Sequence, residues 1–200
     1  MIVRLENGDL RDELRQPLYD TFTLVGGSGI SGLVARFFSS VQGKTLAQTN
    51  LRQNGQLESA VSFRAQGLAF DAQNQRPENY GVVPMLIERS SLNLRIISKD
   101  YWQGPTRFAA GRLYANAALL AAAPTSIVIQ QCGWAAVQGV NFGSRHAQDI
   151  GPVQNFEVTL TVDPLSAAGA PSDATLGTVA ANTQIPLVVS LKGLLRRPVQ

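Results

Sequence analysis

The sequence of 200 residues contains one cysteine and one histidine, so it has few of the side chains that form disulfides or bind metal ions. Cys132 has no partner for an intrachain disulfide, and the apolar run around it indicates a buried small hydrophobic residue. A zinc site would need carboxylates to complete the ligands that Cys132 and His146 supply, and no spacing of carboxylates indicates one. We therefore expect no metal and no cofactor.

Charge is also sparse: only 16% of the residues are charged, against roughly 25% in a typical soluble protein. The hydrophobic share is 44%, and glutamine and asparagine recur throughout the chain. A surface that carries little charge can be covered by neighbours at a modest desolvation cost. This composition favours a protein that assembles over one that stays monomeric.

Long apolar runs are missing as well. The first twenty residues lack the apolar core of a secretory signal peptide. The least polar stretch, residues 113–134, is interrupted by Pro124 and by Gln130 and Gln131, so it falls short of the roughly 20 apolar residues of a membrane span. We expect the chain to fold in a reducing cytoplasm.

What the sequence does contain is a series of β-strand patterns. Residues 154–163 alternate apolar and polar side chains most cleanly, and residues 59–72 alternate before both faces become apolar. Short helices are predicted after Pro84 and in the alanine-rich residues 114–124. The eight candidate strands lie within residues 18–25, 33–41, 59–72, 92–102, 103–113, 126–131, 154–163 and 185–195.

Strands without intervening long helices predict an all-β fold. We expect a single eight-stranded jelly-roll β-sandwich with long loops and at most one or two short helices. We divide the chain into an N-terminal arm at residues 1–17, a jelly-roll domain at residues 18–195 and a C-terminal tail at residues 196–200. The segments 42–57, 141–152 and 164–184 are predicted to be loops.

The triplet Gly43-Lys44-Thr45 raises the possibility of a nucleotide-binding P-loop. That motif requires a glycine five residues before Gly43, where Phe38 stands, and a helix that begins at the lysine. The polar residues that follow Thr45 show no helical period. The triplet is therefore predicted to be part of a long loop.

Enzyme chemistry is not expected. Ser144, His146 and Asp149 share one predicted loop, whereas the members of a catalytic triad normally converge from distant segments. Carboxylate pairs of the glycosidase type remain open, because only the fold could bring them together. Tyr101 and Trp102, like Trp134, could stack against sugars or bases, but their positions favour packing in a core or interface.

Three segments resemble the jelly-roll capsid proteins of tailless icosahedral bacteriophages: ARFFSSVQGKTLAQTNLRQNGQLESAVSFRAQGLAF, LNLRIISKDYWQGPTRFAAG and IPLVVSLKGLLRRPVQ. The likeness is one of loop and strand order. It implies a structural protein of a virion, assembled in the bacterial host cytoplasm. The chain is too short for two stacked jelly rolls, so a single one is implied.

Arginine outnumbers lysine by 14 to 3, which suits planar contacts with carboxylates and phosphates, although codon bias would give the same ratio. We predict contacts between subunits, or with an inner surface, for six cations. The alternative for each is simple solvation. These residues are Arg4, Arg11, Arg15, Lys44, Arg196 and Arg197.

The partners of such a protein would be copies of itself, with other capsid proteins, a viral membrane or nucleic acid as further possibilities. Two other functional classes stay open. One is a virion spike or carbohydrate-binding and receptor-binding β-sandwich module. The other is a β-sandwich hydrolase, whose activity would disappear when an essential aspartate or glutamate is replaced.

Overall fold

The computed structural model describes residues 2–4, 10–73, 79, 82–110, 113–115, 129–131, 139–143, 145–164 and 178–199, and β-strands form more than half of these residues. The predicted all-β class is confirmed. The described residues contain thirteen strands rather than eight. These are β1 Ile2–Arg4, β2 Leu10–Arg15, β3 Leu18–Val25, β4 Val34–Phe37, β5 Ser62–Ala72, β6 Ser90–Ile96, β7 Lys99–Pro105, β8 Leu113–Ala115, β9 Ile129–Gln131, β10 Val140–Asn141, β11 Gln148–Ile150, β12 Phe156–Val162 and β13 Gln184–Pro198.

The strands form two main antiparallel sheets. The larger sheet has the order β1-β2-β13-β5-β10, with β3 also paired to β13 and β11 also paired to β5. The smaller sheet has the order β4-β12-β6-β7, and β8 pairs with β9 in a separate ribbon. β13 is the central strand of the larger sheet, because it pairs with β2 and β3 on one side and with β5 on the other.

A single hydrophobic core takes side chains from both main sheets. In β12, Phe156, Val158, Leu160 and Val162 are buried, and the residues between them face outward. This confirms the alternation predicted for residues 154–163. Such two-sided strands remove alternate side chains from water, which is the main favourable contribution to folding a β-sandwich.

The mixed pattern of β5 is explained by a bulge. Leu191 of β13 faces Leu68, whereas Gly193 faces Ala65, so β5 contains one more residue than its partner between these pairs. An extra residue exchanges the two faces of a strand from that point onward. Phe63 and Ala65 therefore face the core before the bulge, and Leu68, Phe70 and Ala72 face it afterwards.

The predicted N-terminal arm contains a strand that continues β3. Leu194 faces Arg15 and Leu191 faces Leu18, so the register against β13 is unchanged across Gln16 and Pro17. Proline has no backbone N–H to donate, which interrupts the hydrogen bonds without shifting the register. β1 then folds back on β2 and forms the edge of the larger sheet.

The segment predicted as one strand at residues 92–102 is a hairpin. β6 ends at Ile96 and β7 begins at Lys99, so that interpretation was wrong. Ile97 in the turn has a φ of 57°, a conformation that usually requires glycine or asparagine. Because no such residue stands there, the sequence gives no sign of the turn.

Helices are short in the described residues. α1 spans Val82–Glu88 and begins two residues before Pro84, which is tolerated because a first-turn N–H has no partner within the helix. α2, Thr106–Ala109, occupies part of the segment predicted as loop or edge strand. The loop predicted at residues 141–152 contains β11, and the alanine-rich helix predicted at 114–124 lies mostly outside the described residues.

The loops gather at the two ends of the strands. At one end, Gly27 donates a backbone hydrogen bond to Val179, and Ala180 donates one to the side chain of Asn79. At the other end, Phe156 donates to Gly55 and Ile97 to Asn155. The predicted loop at residues 42–57 is confirmed and lies at this second end.

Candidate assembly interface

The terminal strands bring together most of the arginines that the sequence indicated. Arg11 and Arg15 lie on β2, and Arg196 and Arg197 lie on the paired end of β13. Arg4 lies on β1, where it is opposite Leu10. The contacts predicted between these residues and other molecules stay predictions.

Two ion pairs join β2 to β13. Arg196 Nε lies 2.8 Å from Glu13 Oε2, and these side chains are only 21% and 14% exposed. Arg197 Nη2 lies 3.2 Å from Asp12 Oδ2 on the opposite face of the sheet. The more buried Glu13–Arg196 pair is screened less by solvent, so it contributes more to holding the strands together.

The outer face of the larger sheet carries a group of cations. Arg15, Leu194 and Arg64 lie side by side on β2, β13 and β5, and Asp149 of β11 is opposite Arg64. Lys192 is on the same side of β13 because its neighbours Leu191 and Gly193 face the core side. We call this set the basic face; it consists of Arg11, Arg15, Arg64, Lys192 and Arg196.

The core-side face of the same strands carries exposed apolar side chains on either side of the Asp12–Arg197 ion pair. Ile2 is opposite Asp12, so Ile2 and Leu10 share the face on which Leu195 packs against the core. Ile2 is 61% exposed and Leu10 is 56% exposed. A groove of about 470 Å³ lies beside Leu195, between the C-terminal end of β13 and the loop that contains Leu57. This face offers apolar surface that another protein could bury.

Lys44 lies elsewhere, in an ion pair within the chain. Its Nζ is 2.8 Å from Asp20 Oδ1 and 2.9 Å from Asp20 Oδ2, and the carboxylate is fully buried. Asp20 Oδ2 also accepts a hydrogen bond of 2.6 Å from the backbone N–H of Phe38. The Asp20 carboxylate thus joins β3 to the start of the loop at residues 38–61.

The Asp20 carboxylate accepts a hydrogen bond from the backbone N–H of Phe38 at a point where two consecutive phenylalanines are both buried. Phe37 and Phe38 are both buried, although neighbouring residues in a strand point to opposite faces. The chain leaves the strand conformation at Phe38, whose φ is 67°, and this allows both rings to reach the core. The ring of Phe38 packs 5.2 Å from that of Phe156.

The residues considered for enzyme chemistry do not form a site among the described residues. His146 is exposed, Asp149 lies on β11, and Ser144 lies outside the described residues. No group of three or more His, Cys, Asp or Glu side chains in the described part of the chain could hold a metal ion. Trp102 is partly buried against the core and Tyr101 is 40% exposed, whereas Cys132 and Trp134 lie outside the described residues.

Comparison with known proteins adds no relative. No protein family, curated protein or solved structure gives a significant match to the chain. None of the helices within the described ranges is long and apolar enough to cross a membrane. Function is therefore inferred from the geometry of the chain itself.

Proposed function

We propose that this protein is a viral structural protein that self-assembles through a jelly-roll β-sandwich into an icosahedral shell. Its partners would be copies of itself, and other capsid proteins could join them. The proposal places the protein in a virion that is assembled in the bacterial host cytoplasm. Two observations support it, one on strand order and one on exposed surface.

The nested pairing of the strands supports the jelly roll. β3 pairs with β13, β4 with β12, β5 with β10 and β11, and β6 with β7. Between β3 and β13, the first of these strands thus pairs with the last, the second with the last but one, and so on inward to β6 and β7, as in one long hairpin. Rolling that hairpin brings β5 against β13 and β6 against β12, and both pairings are present. Two sheets of four strand positions would result, and the described pairing supports that jelly-roll arrangement.

The observation that carries assembly is the exposure of apolar side chains on the core-side face of the terminal strands. Ile2 and Leu10 expose more than half of their surface at the edge of the larger sheet, on the same face as Leu195, which lines the groove. Burial of apolar surface is the main driving force of protein association, at about 25 cal/mol per Å². A sheet edge also presents unpaired backbone groups that a second copy could pair with.

Light scattering coupled to size-exclusion chromatography tests the proposal. The purified protein should form a discrete assembly, and Leu10→Glu should shift it toward the monomer because a buried carboxylate would lose its hydration. Leu46→Glu is the matched control, since Leu46 is 75% exposed in the loop at residues 38–61. A stable monomer across salt and protein concentration would overturn the lattice hypothesis.

A carbohydrate-binding or receptor-binding module is the second candidate. The observation in its favour is Tyr101 on the edge strand β7, which is 40% exposed and has Lys99 Nζ 5.2 Å from its ring centroid. An exposed aromatic ring beside a cation is a surface on which a sugar could stack. Binding of the monomer to a glycan array, lost in Tyr101→Ala, would favour this function over the shell.

A further inference from the structure

We propose that the basic face binds the phosphate backbone of nucleic acid. Its five cations lie on the adjacent strands β2, β13 and β5, whereas among the residues that the structure describes the carboxylates on this part of the sheet are those of Glu13 and Asp149. The described side chains of this face therefore carry a net positive charge, and a cluster of arginine and lysine on one face is the electrostatic feature that attracts nucleic acid. The inference does not depend on assembly, because a monomer would carry the same face.

The spacing of the cations suits a backbone rather than a single small anion. Arg15 and Arg64 lie in one row on either side of Leu194. Adjacent strands are about 4.8 Å apart, so the backbones of β2 and β5, which carry Arg15 and Arg64, are separated by roughly 10 Å. Arg11 and Arg15 are four residues apart on β2, which corresponds to about 13 Å along the strand. Charges spread in two dimensions can contact several phosphates together.

Some of these side chains are already held in place. Arg196 donates to Glu13 at 2.8 Å, and Arg11 donates from Nη1 to the backbone carbonyl of Ala60 at 2.9 Å. An arginine with a restricted side chain loses less rotamer entropy when it contacts a phosphate. Its planar guanidinium group can also donate two hydrogen bonds to one phosphate.

Nucleic acid is favoured over a membrane by the position of the exposed apolar residues. Peripheral membrane binding usually combines basic charge with apolar side chains that enter the bilayer. The exposed Ile2 and Leu10 lie on the opposite face of the sheet from the basic face. Phosphate contacts from a polar, positive sheet surface would be independent of base sequence.

Fluorescence anisotropy with a labelled oligothymidine tests the proposal. Arg15→Gln/Arg64→Gln should weaken binding about tenfold at low salt. It should also reduce the slope of log K against log salt by about 1.4, because each contact to a single strand contributes about 0.7. Glu13→Gln should strengthen binding several-fold, because it removes a carboxylate beside Arg196.

The control for net charge is Arg107→Gln, which removes a 55% exposed cation from α2. It should leave the salt slope unchanged. Arg15→Gln alone replaces an exposed residue and should give about half the effect of the double variant if the latter fails to fold. The proposal would be overturned if Arg107→Gln weakened binding as much as Arg15→Gln, or if the protein bound only phosphatidylserine vesicles. Light scattering on the same samples shows whether a variant that binds oligothymidine more weakly has also failed to assemble.

Discussion

Asp20 is a fully buried carboxylate whose two charged or polar partners come from one loop. Lys44 neutralises it, and the N–H of Phe38 donates to it in the same pocket. A buried charge that loses its partner is strongly unfavourable, whereas an exposed ion pair contributes little. This pair therefore matters mainly for keeping the loop at residues 38–61 attached to β3.

Replacing Lys44 tests that role. Lys44→Met should lower the free energy of unfolding by about 3 kcal/mol, because the carboxylate of Asp20 stays buried without its cation. Urea denaturation measures the loss, and Lys99→Met on the exposed edge strand is the control. Asp20→Asn should recover part of the stability of Lys44→Met. Assembly lost at unchanged stability would instead assign Lys44 to a contact between subunits.

Asp71 on β5 is a second carboxylate with an unfavourable environment. Burial raises its pKa above the ordinary value of 3.8, and hydrogen bonds involving Gln73 and the backbone of Ala72 offset only part of that effect. The folded protein therefore keeps a proton that the unfolded chain has already lost just above pH 3.8. Asp71 consequently lowers stability as pH rises through that window.

Asp71→Asn should raise the free energy of unfolding at pH 7 by up to about 1 kcal/mol, since the amide carries no charge to desolvate. The gain should shrink toward zero as the pH falls well below 3.8, where Asp71 is protonated in both states. Chemical denaturation across this pH range measures it, with the exposed Asp163→Asn as control. A gain that is larger at pH 4 than at pH 7 would contradict this assignment.

At the scale of the elements, the β5 bulge leaves almost no space above Gly193. A Cβ atom at this position would lie 2.1 Å from the carbonyl oxygen of Arg64 and 2.8 Å from Cζ of Phe63. The first of these is backbone, so it cannot move aside without disturbing the pairing of β5 with β13. Glycine is required here by the close approach of two strands.

Gly193→Ala should therefore lower the free energy of unfolding by about 3 kcal/mol, as expected when a methyl group is forced into a packed site. Thermal and urea denaturation measure the change. Gly29→Ala is the matched control, because its Cβ would meet no atom within 4 Å. Equal stability of the two variants would show that the strands can separate to admit the methyl group.

Strands with clear alternation could be predicted from the sequence. β3 was predicted at its observed bounds, and β12 was predicted to within two residues at each end. β6 and β7 were merged because Ile97 occupies the turn where a glycine or asparagine would have marked it. β10 and β11 have only two and three residues, too few to show a period.

The candidate interface could be predicted only in part. The terminal positions of Arg11, Arg15 and Arg196 predict contacts with other molecules, whereas Arg64 and Lys192 lie inside strands and carry no such signal in the sequence. Their membership of the basic face depends on the register of three strands and on the β5 bulge. Such long-range pairing leaves no local signal in the sequence.

At the scale of the whole molecule, β13 pairs the C-terminal part of the chain with strands from its first half. β13 contacts β2, β3 and β5, which are separated from it by more than one hundred residues. The smaller sheet has its own distant pairing, between β4 and β12. Contacts of such large sequence separation make folding slow, because their loop-closure entropy is lost before they form.

The central position of β13 also has a consequence for synthesis on the ribosome. β3 and β5 emerge long before residues 184–198 are translated, so both have an open edge in the place that β13 will occupy. An uncovered strand edge in a nascent chain is a site for pairing with neighbouring chains on the same polysome. A chaperone that covers β3 and β5 until translation has passed Pro198 would therefore raise the yield of folded subunits.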